Sequence, residues 1–185
     1  VSFRRPSACS DCSGVGGSGE QRCPVCSGSG KTTVGEILSE RLGWPYLDGD
    51  DFHPPANVAK MAAGSPLTDE DRWPWLRTLA EEIGSRIDGG DSCFLGCSAL
   101  KEEYRTALRA ARDGSQVRFV YLAGDESLIA GRLAARVHRY MPASLLRSQF
   151  ETLEPPTDAA VIDIDATPDE IADRVILALG LNGTT

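Results

Sequence analysis

Ser27-Gly28-Ser29-Gly30-Lys31-Thr32-Thr33 is the second half of a phosphate-binding loop that runs straight into a helix. Glycines let backbone N–H groups close around phosphate oxygens, the Lys31 ammonium reaches terminal phosphates, and the Thr32 hydroxyl suits Mg²⁺. The helix that starts here adds its positive end. The complete pattern has a further glycine five residues before Gly30, where this chain has Val25, and a plain glycine-rich turn uses the same residue types.

A second group, Asp48-Gly49-Asp50-Asp51-Phe52-His53, follows a short apolar stretch. Acidic residues just past the carboxyl end of a strand, in a fold whose first loop holds phosphate, are where Mg²⁺ and a substrate hydroxyl meet. A solvated turn or helix cap is the alternative for an Asp-Gly-Asp string. Cations form the third group. Arg72 falls in a helix's first turn, where the dipole disfavours it, which hints at use on an anion. Lys101 and Arg105 stand one helical turn apart and repel unless an anion lies between them, or simply form a solvated basic face. Arg132 and Arg136 share a helix after Asp125, where arginines on a flap can cover a transferring phosphate or merely face solvent.

These residues need strands and helices to position them, and the pattern alternates accordingly. Helices are expected over 31–42, stopped by Gly43, over 56–64, and from Thr68 to about Ile87 with Thr68 as N-cap and Asp71 near the capping-box position. Trp73, Leu76, Leu79, Ala80 and Ile83 form the buried stripe of that third helix, and Pro74 kinks it or delays its start. Strands are expected at Trp44–Leu47, Cys93–Cys97, Val117–Leu122 and Val161–Asp165, and a last helix over 168–179 with Thr167 as N-cap and Pro168 at its first position. Helices also follow Asp125 and carry Leu145, Leu146 and Phe150. Alternation of this kind predicts a three-layer α/β domain with a mostly parallel sheet. One element is missing: the segment Gly19–Val25 before the loop is polar and contains Pro24, unlike a buried central strand.

A net charge of −8, from 27 acidic and 19 basic residues, argues against a nucleic-acid or membrane-surface binder. No long apolar run or secretory leader is evident, which predicts a cytoplasmic protein without a membrane partner. Residues 1–26 differ from the rest, rich in Ser, Gly and Cys, and divide from a domain spanning 27–185. Cys9-x-x-Cys12 and Cys23-x-x-Cys26 each continue as x-Gly-x-Gly, a spacing that suits tetrahedral zinc and resembles half of the zinc module of DnaJ-type chaperones. Cys26, Gly28 and Gly30 also belong to the phosphate loop, and one backbone can hardly wrap both groups. A cysteine-bearing tail or a displaced N-terminus are the alternatives to a zinc-knuckle module fused to a kinase-derived domain.

Over residues 27–179 the chain is similar to the gluconokinase family, P-loop kinases related in fold to shikimate and adenylate kinases. The likeness rests on Ser27-Gly28-Ser29-Gly30-Lys31-Thr32, Gly43-Trp44-Pro45, Asp48-Gly49-Asp50-Asp51-Phe52-His53-Pro54, Pro66-Leu67-Thr68-Asp69-Glu70-Asp71-Arg72, Cys97-Ser98-Ala99-Leu100-Lys101, Tyr104-Arg105 and Ser148-Gln149-Phe150-Glu151-Thr152-Leu153-Glu154. The resemblance implies ATP- and Mg²⁺-dependent phosphorylation of D-gluconate at its 6-hydroxyl, and is compatible with a homodimer. By that likeness Gly28, Gly30, Lys31 and Thr32 serve nucleotide phosphate and Mg²⁺, with Ser27, Ser29 and Thr33 in the same nucleotide-binding stretch, and Arg132 and Arg136 are the flap candidates for covering the phosphate. Thr32 and Asp48 meet Mg²⁺, and Asp50 meets the attacking hydroxyl. His53, Arg72, Lys101, Arg105 and Gln149 surround the gluconate. Neither Arg72 nor Lys101 decides which carboxylate is bound, so a neighbouring hydroxy acid such as shikimate stays open. Three departures stand out: Val25-Cys26 in place of Gly-Val, the polar segment before them, and His138-Arg139-Tyr140-Met141 where the family usually reads Gly-His-Phe-Met.

Overall fold

Alternate residues of a strand face opposite sides of a sheet, and the neighbours Phe94 and Leu95 show what this chain does with that geometry. In the computed structural model, which describes residues 30–112, 114–134 and 143–181, Phe94 packs into one hydrophobic cluster and Leu95 into another. Two apolar layers therefore cover the two faces of the strands, as a three-layer α/β domain requires.

The elements run in the order α1 (Lys31–Leu42), β1 (Tyr46–Asp48), a 3₁₀ turn (Gly49–Phe52), α2 (Pro55–Ala62), α3 (Asp69–Gly89), β2 (Phe94–Gly96) and α4 (Glu102–Arg109). A short 3₁₀ turn (Gly114–Gln116), β3 (Val120–Ala123), α5 (Glu126–Ala134), α6 (Ala143–Thr152), β4 (Ala160–Asp163) and α7 (Pro168–Leu179) complete the described residues. β1 pairs parallel with β2 in the register Leu47 to Leu95, and β3 pairs parallel with β4 in the register Tyr121 to Val161. Among the described residues the sheet is thus two parallel halves, β1-β2 and β3-β4. The polar segment expected to break the sheet's central strand lies outside the described residues.

On one face α1 packs on α7 through Val34, Leu38, Ile171, Ala172 and Val175, over Ile162 and Ile164. Arg41 of α1 clamps the pair from outside by reaching Asp169 and Asp173 at 2.6 and 2.5 Å. On the other face Trp75, Leu76 and Leu79 of α3 meet Tyr104 and Leu108 of α4. Side chains of this size buried to such a degree each contribute roughly 1.5–3 kcal/mol. Trp75, outside the expected stripe, is the deeply buried tryptophan of α3, at 2 % exposure, while Trp73 and Ile83 are only partly buried. Leu76 and Leu79 are buried as expected, and Trp75 widens the buried face beside Leu79.

Local signals set most boundaries. Thr68 accepts from the Asp71 amide while the Asp71 carboxylate accepts from the Thr68 amide, a complete capping box, and Thr167 with Glu170 repeats it on α7. α3 begins at Asp69, ahead of Pro74, so the proline does not delay it. Strands are shorter than expected: pairing beside β1 starts with the Pro45 carbonyl, which accepts from the Phe94 amide, because Pro45 has no N–H to offer. Residues Val117–Phe119 likewise lie outside β3, and Val117 instead closes a turn onto the Gly114 carbonyl. No described helix is long and apolar enough to cross a membrane.

Candidate active site

Gly30 caps α1 with a left-handed backbone, φ 78°, a conformation that glycine adopts without steric cost, and so delivers the chain into the helix at Lys31. Lys31 Nζ lies 3.5 Å from Ser98 Oγ, just beyond β2, and Thr32 Oγ1 donates to Asp48 Oδ2 at 3.2 Å, at the end of β1. The amino end of α1 therefore faces the carboxyl ends of β1 and β2, where ligands of parallel sheets bind. Ser27, Gly28, Ser29 and Arg136, together with Cys9, Cys12, Cys23 and Cys26, lie outside the described residues.

Asp48 caps the 3₁₀ turn by accepting from the Asp50 amide at 3.1 Å. Gly49 in between is tightly enclosed: a Cβ there would stand 2.7 Å from the Gly96 carbonyl oxygen and 2.9 Å from Cys97 Cβ, so only glycine fits. This close approach sets where Asp48 and Asp50 emerge. Trp75 donates its indole N–H to the Gly49 carbonyl at 2.7 Å and stacks on the His53 ring, centroids 4.4 Å apart and planes 16° from parallel. His53 Nε2 is 3.9 Å from Asp50 Oδ1. Cys97, behind the turn, has its thiol pushed up to about 11 by burial and serves as framework.

Burial, with Arg72 nearby, lowers the His53 pKa from 6.5 to about 4. The unfolded chain binds this proton more readily, so stability present above pH 6.5 is lost as pH falls toward 4, by on the order of 3 kcal/mol. Chemical denaturation of wild type and His53→Gln across that range is the check. The variant is expected to lose less stability than wild type on acidification, and equal losses would contradict the burial of a neutral imidazole.

The cations divide. Arg72 stands 5.8 Å over the Tyr104 ring, and its guanidinium donates no hydrogen bond to any of the described residues. Lys101 is held by Asp69 at 2.6 Å and Glu103 at 3.4 Å, and the Asp69 bond raises its pKa. Arg105, buried at 3 % exposure, donates to the Ala99 and Leu100 carbonyls at 2.9 and 3.1 Å and to Glu102 at 3.0 Å. The repulsion expected between Lys101 and Arg105 is thus relieved by protein carboxylates, and no bound anion is required to hold them. Arg132 donates to the carbonyls of Ile164 and Ala166, at 2.6 and 3.3 Å, which ties α5 to the end of β4, so that it is not merely part of a solvated helix face.

One open cavity gathers Lys31, Asp50, His53, Arg72, Arg105 and Gln149. Lys101 is not among its lining residues. Sequence spacing missed Asn57, Asp69 and Trp75, which hold these groups in place. A polar Asn57 on the first turn of α2, four residues after His53, was the available signal. A hydroxyl, a carboxylate and an ammonium at one helix end, beside a second carboxylate and an unengaged guanidinium, suit a polyanionic phosphate donor and a second, acidic, hydroxylated substrate.

Residues 26–156 match the model of an AAA domain family. The chain is 44 % identical over 153 residues to a gluconokinase of Gluconobacter oxydans (strain 621H), covering 81 % of this chain and 85 % of that protein. Its fold resembles the crystal structure of a gluconokinase from Sinorhizobium meliloti 1021, with a TM-score of 0.76 and 42 % identity over 84 % of this chain and 87 % of that one. It also resembles the unliganded crystal structure of a sugar kinase from Janibacter sp. HTCC2649, with a TM-score of 0.78 and 42 % identity over 86 % and 94 % of the two chains.

Proposed function

Because the chain belongs to the gluconokinase family, we propose that it transfers the terminal phosphoryl group of ATP to the 6-hydroxyl of D-gluconate, giving 6-phospho-D-gluconate. The observation that carries this reading is that one cavity brings together Lys31, at the amino end of α1, Asp50, and Arg72, whose guanidinium donates no hydrogen bond to the described residues.

Backbone N–H groups at the start of α1 and the Lys31 ammonium would bind and orient the nucleotide phosphates. Thr32 and Asp48 fit Mg²⁺: a hydroxyl and a carboxylate oxygen 3.2 Å apart are hard donors, and the small number of protein ligands suits an ion that keeps water and phosphate in its shell. When bound, the ion neutralises charge on the phosphates. Asp50 accepts the proton of the attacking hydroxyl, His53 lies beside Asp50 on the same side of the gluconate, and Gln149 holds a neighbouring hydroxyl. Arg72 takes the carboxylate. Lys101 keeps Asp69 and Tyr104 in place around Arg72, and Arg105 fixes the Ala99–Leu100 backbone and so the loop that carries Ser98. Arg136 would act from the nucleotide side, while Arg132 ties α5 to the end of β4. Residues 1–26 are taken as an N-terminal segment and 27–185 as the kinase domain; the family match over residues 26–156 falls almost wholly in the second. The reaction draws on ATP and Mg²⁺, which a cytoplasmic setting supplies, and neither nucleic acid nor a membrane has a place in it.

Rates of ADP release with Mg²⁺ and a panel of gluconate, shikimate and related hydroxy acids test the substrate. Gluconate is expected to give the highest kcat/KM, and a higher value for another acid would overturn the assignment. Arg72→Ala is expected to raise KM for gluconate about 10- to 150-fold, the equivalent of about 1.5–3 kcal/mol for a charge-assisted bond, with kcat much less affected. An unchanged KM would remove Arg72 from the carboxylate.

A further inference from the structure

Asn57 is fully enclosed, at 4 % exposure, and joins two elements. Its Nδ2 lies 2.7 Å from the Asp71 carbonyl oxygen and 3.3 Å from His53 Nδ1. A carbonyl only accepts, so the group facing Asp71 is the NH₂ and the amide's orientation is fixed. The second hydrogen of that same nitrogen then points at His53 Nδ1, which can accept it only when unprotonated. Trp75 locks the plane of the imidazole by stacking, while its N–H holds the Gly49 carbonyl, the peptide between Asp48 and Asp50.

We propose that Asn57 and Trp75 are positioning residues that hold His53 as a neutral imidazole with its proton on Nε2, aimed to donate a hydrogen bond to the substrate hydroxyl that Asp50 deprotonates. This rests on the reading of the site as a gluconate kinase. The 3.9 Å between Nε2 and Asp50 Oδ1 is too long for a direct hydrogen bond and short enough for one hydroxyl oxygen to touch both. Such a hydroxyl accepts from Nε2–H, which leaves its own proton directed at Asp50. His53 thereby takes no proton itself; it fixes the direction in which the hydroxyl gives one up. The charged groups that face it are Asp50, from the 3₁₀ turn, and Arg72, from α3. Neutral at working pH, with burial holding its pKa at about 4, the ring keeps Nδ1 free to accept.

The test reads the tautomer of the resting, full-length, ¹⁵N-labelled protein by long-range ¹H–¹⁵N correlation, the His53 signals assigned by their loss in His53→Gln. A protonated Nε2 and an unprotonated Nδ1, unchanged between about pH 6 and 9, are expected. Asn57→Asp offers Nδ1 an acceptor in place of a donor, and is expected to move the proton to Nδ1 or add a second one, with kcat down about 10-fold or more. Should that variant fail to fold, the wild-type spectrum and a pair of His53 variants decide. Gln places an N–H near the Nε2 position and Asn only near Nδ1, so His53→Gln is expected to retain the higher kcat. A wild-type proton on Nδ1, or His53→Asn equal to or better than His53→Gln, overturns the proposal. A chain with the proton on Nε2 that phosphorylates no gluconate overturns the functional reading alone. One that phosphorylates gluconate with the proton on Nδ1 overturns this inference alone.

Discussion

Replacing Lys31 with alanine is expected to lower kcat/KM for ATP-dependent phosphorylation by at least about 10²–10³-fold, the loss typical of removing one preorganised charge stabiliser from a transition state. The fold should survive unharmed. Lys31 opens α1, where the positive end of the helix dipole opposes a cation, so its presence costs stability that a bound phosphate offsets. Lys31 Nζ also lies 3.5 Å from Ser98 Oγ, at the outer limit of a hydrogen bond. Without nucleotide Lys31→Ala is expected to melt as a folded protein within a few degrees of wild type, while stabilisation by added ATP and Mg²⁺ shrinks. Thermal melts with and without nucleotide, run beside the kinetic assay, separate the two effects. An inactive variant that is also unfolded, or an active one that still melts higher with nucleotide, would remove Lys31 from the phosphate site.

Asp50→Asn tests the other side of the reaction. Asparagine keeps the shape and can still meet a hydroxyl, but it takes no proton, so kcat is expected to fall about 10²–10⁴-fold with KM for gluconate little changed. The turn should persist in the variant, because Asp48 accepts from the backbone amide of residue 50 and Trp75 from outside holds Gly49. A kcat within a few-fold of wild type would mean that another group receives the hydroxyl proton.

The helical part of this fold was readable because its signals are local. Thr68 with Asp71 announces a helix start by hydrogen bonds within one turn, Thr167 announces another by bonding to Glu170 with Pro168 at the first position, and Gly43 announces a stop. Strand ends were less legible, since pairing depends on a partner distant in the chain: Val117–Phe119 looks like strand by composition, yet its partner strand begins only at Ala160. The phosphate loop and the acidic turn could be read as sites because glycine and carboxylates at fixed spacing have few structural uses there. The roles of the cations could not. Whether Lys101 and Arg105 serve a ligand or their own neighbours depends on Asp69, 32 residues before Lys101, and on carbonyls that folding brings alongside. Arg72 donates no hydrogen bond to the described residues for the converse reason, as its guanidinium lies over the face of the Tyr104 ring. Trp75 and Asn57 escaped notice because a buried tryptophan reads as core, and an asparagine in a short helix as surface, until their hydrogen bonds to the site are seen.

Phosphorus NMR of the intact chain with ATP, Mg²⁺ and D-gluconate follows the reacting group itself. A phosphomonoester resonance of 6-phospho-D-gluconate should grow as the terminal phosphate of ATP disappears, one for one, and should be absent without gluconate. ATP left unconsumed, or inorganic phosphate released with no ester formed, would contradict the assignment of this cavity to phosphoryl transfer onto a sugar acid.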